Sequence, residues 1–455
     1  MLLALYFSAN VLIGYELSKA NQEKESETKM RRENIVSFIV LLFLGVVILV
    51  AAASGATAGK EFILTAQEAQ RQSCASLKEE GVKFSPDFFP ILPWDAQHGL
   101  REPFIKQRKF GLESIARCNF NIAGFVRSED LPLCEKLGLA AILLDEKGFV
   151  TSKELSSYSD EEIEVLVKRM VTQGGQSKAV IGYFIADEPG VSAFPVLAKA
   201  VAAVKKYDPG KLAYINLYPS YATLGAKDTS QIEAQTYTEY LEQYVAIVKP
   251  QLISYDNYKV LFSNDLKDKE QAASYYNDLL EVRRVAKKYH LPFWNIVSCN
   301  QIRPHTPIPS PANLRYQAYT SLAAGARGVT WFKYYARNFY GYSPVDKGDK
   351  RMTLTWFYLH EVNRELAVLG PLMNRLTSTG VYFTAPAPVE SAAVLPGDLV
   401  KKADAATPLM IGEFRHDDGS DYVMAVNLSL ESSTKVNLRM PGDPNEVRLV
   451  STVDG

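Results

Sequence analysis

The sequence predicts a (β/α)8 TIM barrel followed by a small antiparallel β domain, and three observations carry that prediction. Strand-like apolar runs alternate with amphipathic helical stretches eight times over about 310 residues, the usual span of such a barrel with insertions. The first run ends in "PWDAQHG", not in the Gly-rich phosphate turn of a doubly wound open sheet. Beyond about Thr377 the pattern shifts to short β runs separated by turn residues.

The strands are expected in order at "FFPILPWD" (88–95), "NFNIAGFV" (119–126), "AAILLD" (140–145) and "AVIGYFIADE" (179–188). The second half of the barrel continues with "LAYINLYPSY" (212–221), "LISYDNY" (252–258), "PFWNIVSCN" (292–300) and "GVTWFKYY" (328–335). Ser159 with Glu162 three residues on is a capping-box pattern and starts one helix. Ser310 before Pro311 starts another, with proline in the first turn, where its missing N–H costs nothing. In the trailing domain "GVYFT", "LMIGEFRHDDGSDYVMAVNL" and "STKVNLRM" read as strands, with "DDGSD" as a hairpin loop.

Three segments follow: residues 1–59 as a signal peptide or membrane anchor, 60–376 as the barrel, and 377–455 as a β-sandwich-like domain that is cut short. Met30, Arg31 and Arg32 precede an uncharged apolar run, 35–53, and then Ala56-Thr57-Ala58. A basic start, an apolar middle and an A-x-A end make a secretory signal. If retained, 35–53 is long enough to tether the chain to a membrane. The chain is therefore expected to be exported, to the periplasm, the extracellular space or the outer side of the cytoplasmic membrane, with Met30 as its natural start.

A formal net charge of -1 offers no electrostatic reason to bind nucleic acid. Cys74, Cys118, Cys134 and Cys299 show no CxxC spacing, and the five histidines form no helical metal pair, so neither a metal nor another cofactor is expected. With 25 Tyr and 21 Phe the chain is rich in rings that can face a sugar, although such rings also serve ordinary packing.

In a barrel of this type the active site lies at the C-terminal ends of the strands. Those ends carry Trp94, Asp95, Asp145, Asp187, Glu188, Asn216, Tyr218, Asp256, Tyr258, Asn300, Trp331 and Tyr334. Acids, amides and rings without a phosphate loop or a Ser/His pattern suit glycosidic-bond hydrolysis, in which one acid protonates the leaving oxygen and a second carboxylate attacks or activates water. Strand alternation puts Glu188 on the face of Gly182, Phe184 and Ala186, and Asp256 on that of Ser254 and Tyr258. Glu188 and Asp256 are thus expected in the mouth, with Asp187 leaning away. Trp94, Asp95, Asn216, Tyr218, Tyr258, Asn300, Trp331 and Tyr334 are the substrate-binding candidates.

The "DEP" after the fourth run and "SYDNY" at the sixth resemble those of clan A glycoside hydrolases, nearest to family 42 β-galactosidase-like proteins. The resemblance spans about residues 85–375. It implies that Glu188 is the general acid/base, although Asp187 stands where the clan usually has Asn. The clan's nucleophile, a Glu ending strand seven, is absent: Asn300 and Gln301 stand there. Three readings stay open. Asp256 is the second carboxylate; or Asp187-Glu188 serve a substrate-assisted reaction on 2-acetamido sugars, as in family 20 hexosaminidases; or the barrel binds glycan without cleaving it.

Overall fold

The structure is a computed structural model that describes residues 2–7, 11–15, 85, 87–94, 111–147, 150–223, 231–259, 269–302, 307–335, 341–346, 351–442 and 447–454. The apolar run 35–53, Asp95 and Cys74 lie outside the described residues. Among the described residues no helix is long and apolar enough to cross a membrane.

Two strands near the N-terminus, β1 (Leu2–Phe7) and β2 (Val11–Tyr15), precede the barrel. The barrel strands are β3 (Ile91–Pro93), β4 (Ile122–Val126), β5 (Ala140–Leu143), β6 (Val180–Asp187), β7 (Leu212–Leu217), β8 (Ile253–Asp256), β9 (Phe293–Ser298) and β10 (Val329–Phe332). They pair in the order β3-β10-β9-β8-β7-β6-β5-β4, every pair parallel. Asn121 closes the ring between β3 and β4: its side-chain oxygen accepts from Ile91 N at 2.8 Å, and its backbone N donates to Ile91 O at 3.3 Å.

Inward side chains such as Trp94, Phe125, Phe184, Tyr214 and Trp294 fill the barrel interior. Outward ones pack against the surrounding helices in a second apolar layer. Both predicted helix starts are present: Ser159 and Glu162 make a full capping box, and the Ser310 hydroxyl accepts from Asn313 N. Cys118, Cys134 and Cys299 are buried free thiols.

The trailing domain begins at β13 (Leu376–Phe383), after a short hairpin of β11 (Val345–Asp346) with β12 (Arg351–Met352) and the helix Leu354–Arg375. It continues through β14 (Lys402–Asp404), β15 (Leu409–His416), β16 (Asp421–Asn427), β17 (Thr434–Arg439) and β18 (Val447–Val450). The "DDGSD" hairpin forms between β15 and β16. β1 lies between β16 and β18, parallel to both, and β2 pairs in parallel with β17. The sequence reading did not anticipate either pairing. The domain sits tightly on the barrel: a Cβ at Gly412 would lie 2.4 Å from the Ala323 carbonyl oxygen, so only glycine fits there.

Candidate active site

The stretch "IADEPG" works because a bulge precedes it. β6 pairs Phe184 with Tyr214 but Ala186 with Ile215, so Ile185 is one residue too many and the alternation changes phase. Asp187 then lies opposite Asn216, whose strand turns Leu212 and Tyr214 into the barrel interior. Asp187 consequently points inward, and the expectation that it leans away is corrected. Glu188 follows in a left-handed conformation, φ 47°, held by its backbone N donating to Asn216 O at 2.9 Å. That conformation is unfavourable for a non-glycine residue by about 1–3 kcal/mol, and such strain concentrates at functional sites.

Pro189 and Gly190 set the exit from the strand. The Pro189 carbonyl accepts from Tyr240 OH at 2.7 Å. A Cβ at Gly190 would lie 2.7 Å from the Glu233 carboxylate, which itself accepts from Ser192 N at 2.7 Å. Glycine is required at 190 for this close approach.

Asn216 joins the acids. Its Nδ2 donates to Asp187 Oδ1 at 3.0 Å and to Asp256 Oδ1 at 2.9 Å. Its Oδ1 accepts from Ser254 Oγ at 3.3 Å, and Ser254 in turn pairs with Tyr214 OH at 2.9 Å. Glu188 and Asp256 lie near enough for each to alter the other's proton affinity. Burial pushes Asp187 up to about 7, and the Glu188 charge adds to the rise. Burial also raises Glu188, against the opposing effect of the neighbouring Asp256. Asp256 is raised furthest, by burial and then by the charges of Glu188 and Asp187. Asp256 is the more deeply buried partner, and Glu188 is half-buried.

Rings line this cluster. Tyr258 is near enough to Asp256 to feel its charge and stacks on Phe332, centroids 4.9 Å apart. Tyr218 is half-buried and pushed up to about 12 by burial and by the Glu188 and Asp187 charges. Tyr221, not among the sequence candidates, feels the charges of Asp256 and Glu188 and lies under the Lys259 ammonium at 4.7 Å. Its spacing from Tyr218, three residues on in a 3-10 turn (Ser220–Thr223), is the signal that could have found it.

Other candidates are placed elsewhere. Trp94 is buried in the interior floor, edge-on to Phe125 at 4.7 Å. Asn300 is fully buried at the mouth end beyond β9; its Oδ1 accepts from Ser298 Oγ at 3.0 Å and Lys333 N at 3.1 Å, and its Nδ2 has no hydrogen-bond partner. Trp331 and Tyr334 are not brought to the mouth. Trp331 Nε1 donates to Asn363 at 2.8 Å in the helical layer, and Tyr334 OH accepts from Trp356 Nε1 at 3.0 Å. Asp145, also a strand tip, is locked in a two-pronged pair with Arg169 at 2.7 and 2.6 Å.

Among the described residues no group of three or more His, Cys, Asp or Glu side chains is arranged to hold a metal ion. Carboxyl groups whose proton affinity burial raises can donate protons to an uncharged polyhydroxyl substrate, and the rings can pack against it.

Solved structures of similar fold are glycoside hydrolases. The chain is similar to the β-galactosidase of the psychrophilic Marinomonas ef1 at 12% identity, over 65% of this chain and 63% of that one, with a TM-score of 0.47. For the β-glucuronidase from Ruminococcus gnavus the values are 10%, 55%, 44% and 0.39. For the GH2 β-galacturonidase from Eisenbergiella tayi they are 14%, 56%, 46% and 0.39. The chain thus spans less than two thirds of each of these proteins, and at such identities the likeness is one of fold. No family model and no curated protein matches the chain.

Proposed function

We propose that this chain is an exported glycoside hydrolase that cleaves an O-glycosidic bond of a carbohydrate, with Glu188 as the proton donor. The observation that carries this reading is the gathering of Asp187, Glu188 and Asp256 at the C-terminal ends of β6 and β8, with Asn216 Nδ2 donating to both aspartates at 3.0 and 2.9 Å. Glu188, the less buried of the two, protonates the leaving oxygen as its bond to the anomeric carbon breaks; water adds to that carbon with Asp256 as the second carboxylate, and the proton that water loses restores the acid. Tyr218, Tyr221 and Tyr258 flank the sugar, whereas Asn300, fully buried, does not reach it. Within the class, "DEP" and "SYDNY" favour proteins of the family 42 type. Export rests on the basic, apolar and A-x-A pattern of residues 30–58.

A second reading is favoured by a specific observation. Asp187 points into the mouth beside Glu188. This favours attack by the substrate's own 2-acetamido group, with Asp187 orienting it. A panel of aryl glycosides with and without a 2-acetamido group decides between the two mechanisms. Hydrolysis that Glu188→Gln abolishes supports the enzyme. Glycan affinity without any turnover identifies a binding barrel and overturns the hydrolase reading.

A further inference from the structure

The helix Tyr237–Val248 follows β7 and carries two tyrosines one turn apart at its start, where the Thr236 hydroxyl caps it by accepting from Glu239 N at 3.1 Å. Tyr237 and Tyr240 are both buried, and residues three apart share one face of a helix. Their rings are stacked, centroids 6.1 Å apart, and Tyr240 also packs on Phe194 at 5.4 Å. Packing alone needs no hydroxyl. Yet each ring gives its hydroxyl to a backbone carbonyl at the end of a barrel strand. Tyr240 OH donates to Pro189 O at 2.7 Å, and Tyr237 OH donates to Tyr218 O at 3.0 Å. Pro189 directly follows Glu188, and Tyr218 directly follows Leu217, the last residue of β7. One helical turn therefore grips the exits of two paired strands, β6 and β7.

Glu188 is a residue for which such a grip matters. Its left-handed backbone is disfavoured for any residue with a side chain, so the chain on both sides has to hold it there. On one side its own N–H donates to Asn216 O at 2.9 Å. On the other, the next carbonyl is fixed by the Tyr240 hydroxyl. Pro189 is buried, and a buried carbonyl that loses its donor is costly unless the chain moves to find another. Movement at Pro189 is passed directly to Glu188. The half-buried Tyr218 stands in the same relation to Tyr237, since its own carbonyl is the one held.

We infer that Tyr240 and Tyr237 are positioning residues: Tyr240 aims the Glu188 carboxyl, and Tyr237 sets the Tyr218 ring against the substrate. The inference rests on the reading of Glu188 as the proton donor. Phenylalanine at each position removes one oxygen and keeps the ring. On an aryl glycoside that the wild type hydrolyses, Tyr240→Phe should lower kcat about tenfold or more with KM little changed, the cost of misplacing a reacting group. Tyr237→Phe should raise KM several-fold with kcat little changed. Tyr244→Phe, at a buried ring of the same helix that packs on Phe194, is the control for packing and should leave both constants unchanged. Carbon-13 NMR of the glutamate carboxyls, with the Glu188 signal identified by its loss in Glu188→Gln, reads the same positioning without turnover. Burial raises Glu188, so a carboxyl released toward solvent in Tyr240→Phe should titrate at lower pH. A Tyr240→Phe protein with the wild-type kcat and an unmoved Glu188 titration overturns the inference, and so do equal kcat losses in all three variants. If Tyr240→Phe does not fold, the KM of Tyr237→Phe decides, an unchanged value overturning it. A wild type that hydrolyses no glycoside removes the hydrolase reading alone, and the titration then decides whether Tyr240 positions Glu188.

Discussion

Asn216 and Asp256 are joined by a 2.9 Å hydrogen bond from an amide nitrogen that reaches Asp187 at 3.0 Å as well. One NH2 group thus offers one proton to each of two acids, and it lowers the proton affinity of both against the stronger effect of burial. Asn216→Ala should push both acids further up and let the cluster loosen. The expected outcome is a loss of about 10–100-fold in kcat, the range seen when an orienting partner is removed, and a shift of the pH profile to higher pH. A kcat loss with an unmoved profile would mean that Asn216 only packs.

Glu188→Gln keeps the shape and removes the proton. Loss of a general acid costs about 10²–10⁴-fold. The loss should be large for aryl glycosides with basic leaving groups and small for those with acidic ones, with KM little changed. Steady-state kinetics across a leaving-group series checks this. Equal losses across the series would assign the proton to another residue.

Part of this site was legible in the sequence. Asp256 was placed correctly because β8 alternates without interruption, Ser254 and Asp256 inward and Tyr255 outward. Asp187 was not, because nothing in "GYFIADE" announces that Ile185 bulges out of register. Asp145 read as a mouth acid because its partner, Arg169, is 24 residues away on the next long helix, and pairing at that distance leaves no local pattern. Trp331 and Tyr334 failed for a different reason: an aromatic at a strand tip looks alike whether it faces sugar or a helix. The eight strands and both capped helix starts depend on local periodicity and so could be read directly. The insertion of β1 between β16 and β18 depends on contacts across almost the whole chain and could not.

Acid pH should stabilise the fold. Asp187 and Asp278 are each raised by burial from an ordinary carboxylate value to about 7. In the window from about 4 to about 7 the unfolded chain has released these protons and the folded chain has not. Unfolding then releases protons, so the contribution of these groups is complete below the unfolded value and is lost as pH rises through the folded one. The melting temperature at constant ionic strength should fall from pH 5 to about pH 7, and Asp278→Asn should flatten part of that slope. A melting temperature that rises across this window would show that these acids are ionised in the folded protein.

Arg169→Ala separates stability from chemistry. The Asp145 side chain is 4% exposed, and Arg169 holds it by two hydrogen bonds of 2.7 and 2.6 Å. Removing the arginine leaves a buried carboxylate uncompensated, which typically costs about 3–5 kcal/mol; the partial exposure of Arg169 puts the expectation at the low end. Denaturant unfolding should show the loss, while the pH–rate profile of the surviving folded protein stays where it was.

Gly190→Ala makes the opposite separation. The added methyl would lie 2.7 Å from the Glu233 carboxylate and 3.0 Å from the Gln231 carbonyl oxygen. Glu233 is held by Ser192 N, and Gln231 N donates to Ala222 O, so neither can retreat freely. The strain is expected to cost about 1–3 kcal/mol and to be relieved by moving the segment 188–191. Because Glu188 is two residues away, in a left-handed conformation that only its surroundings maintain, it should be displaced before the barrel opens. Activity should therefore fall by at least about tenfold at temperatures where circular dichroism still reports a fully folded chain, a drop that about 1.4 kcal/mol of misplacement suffices to produce.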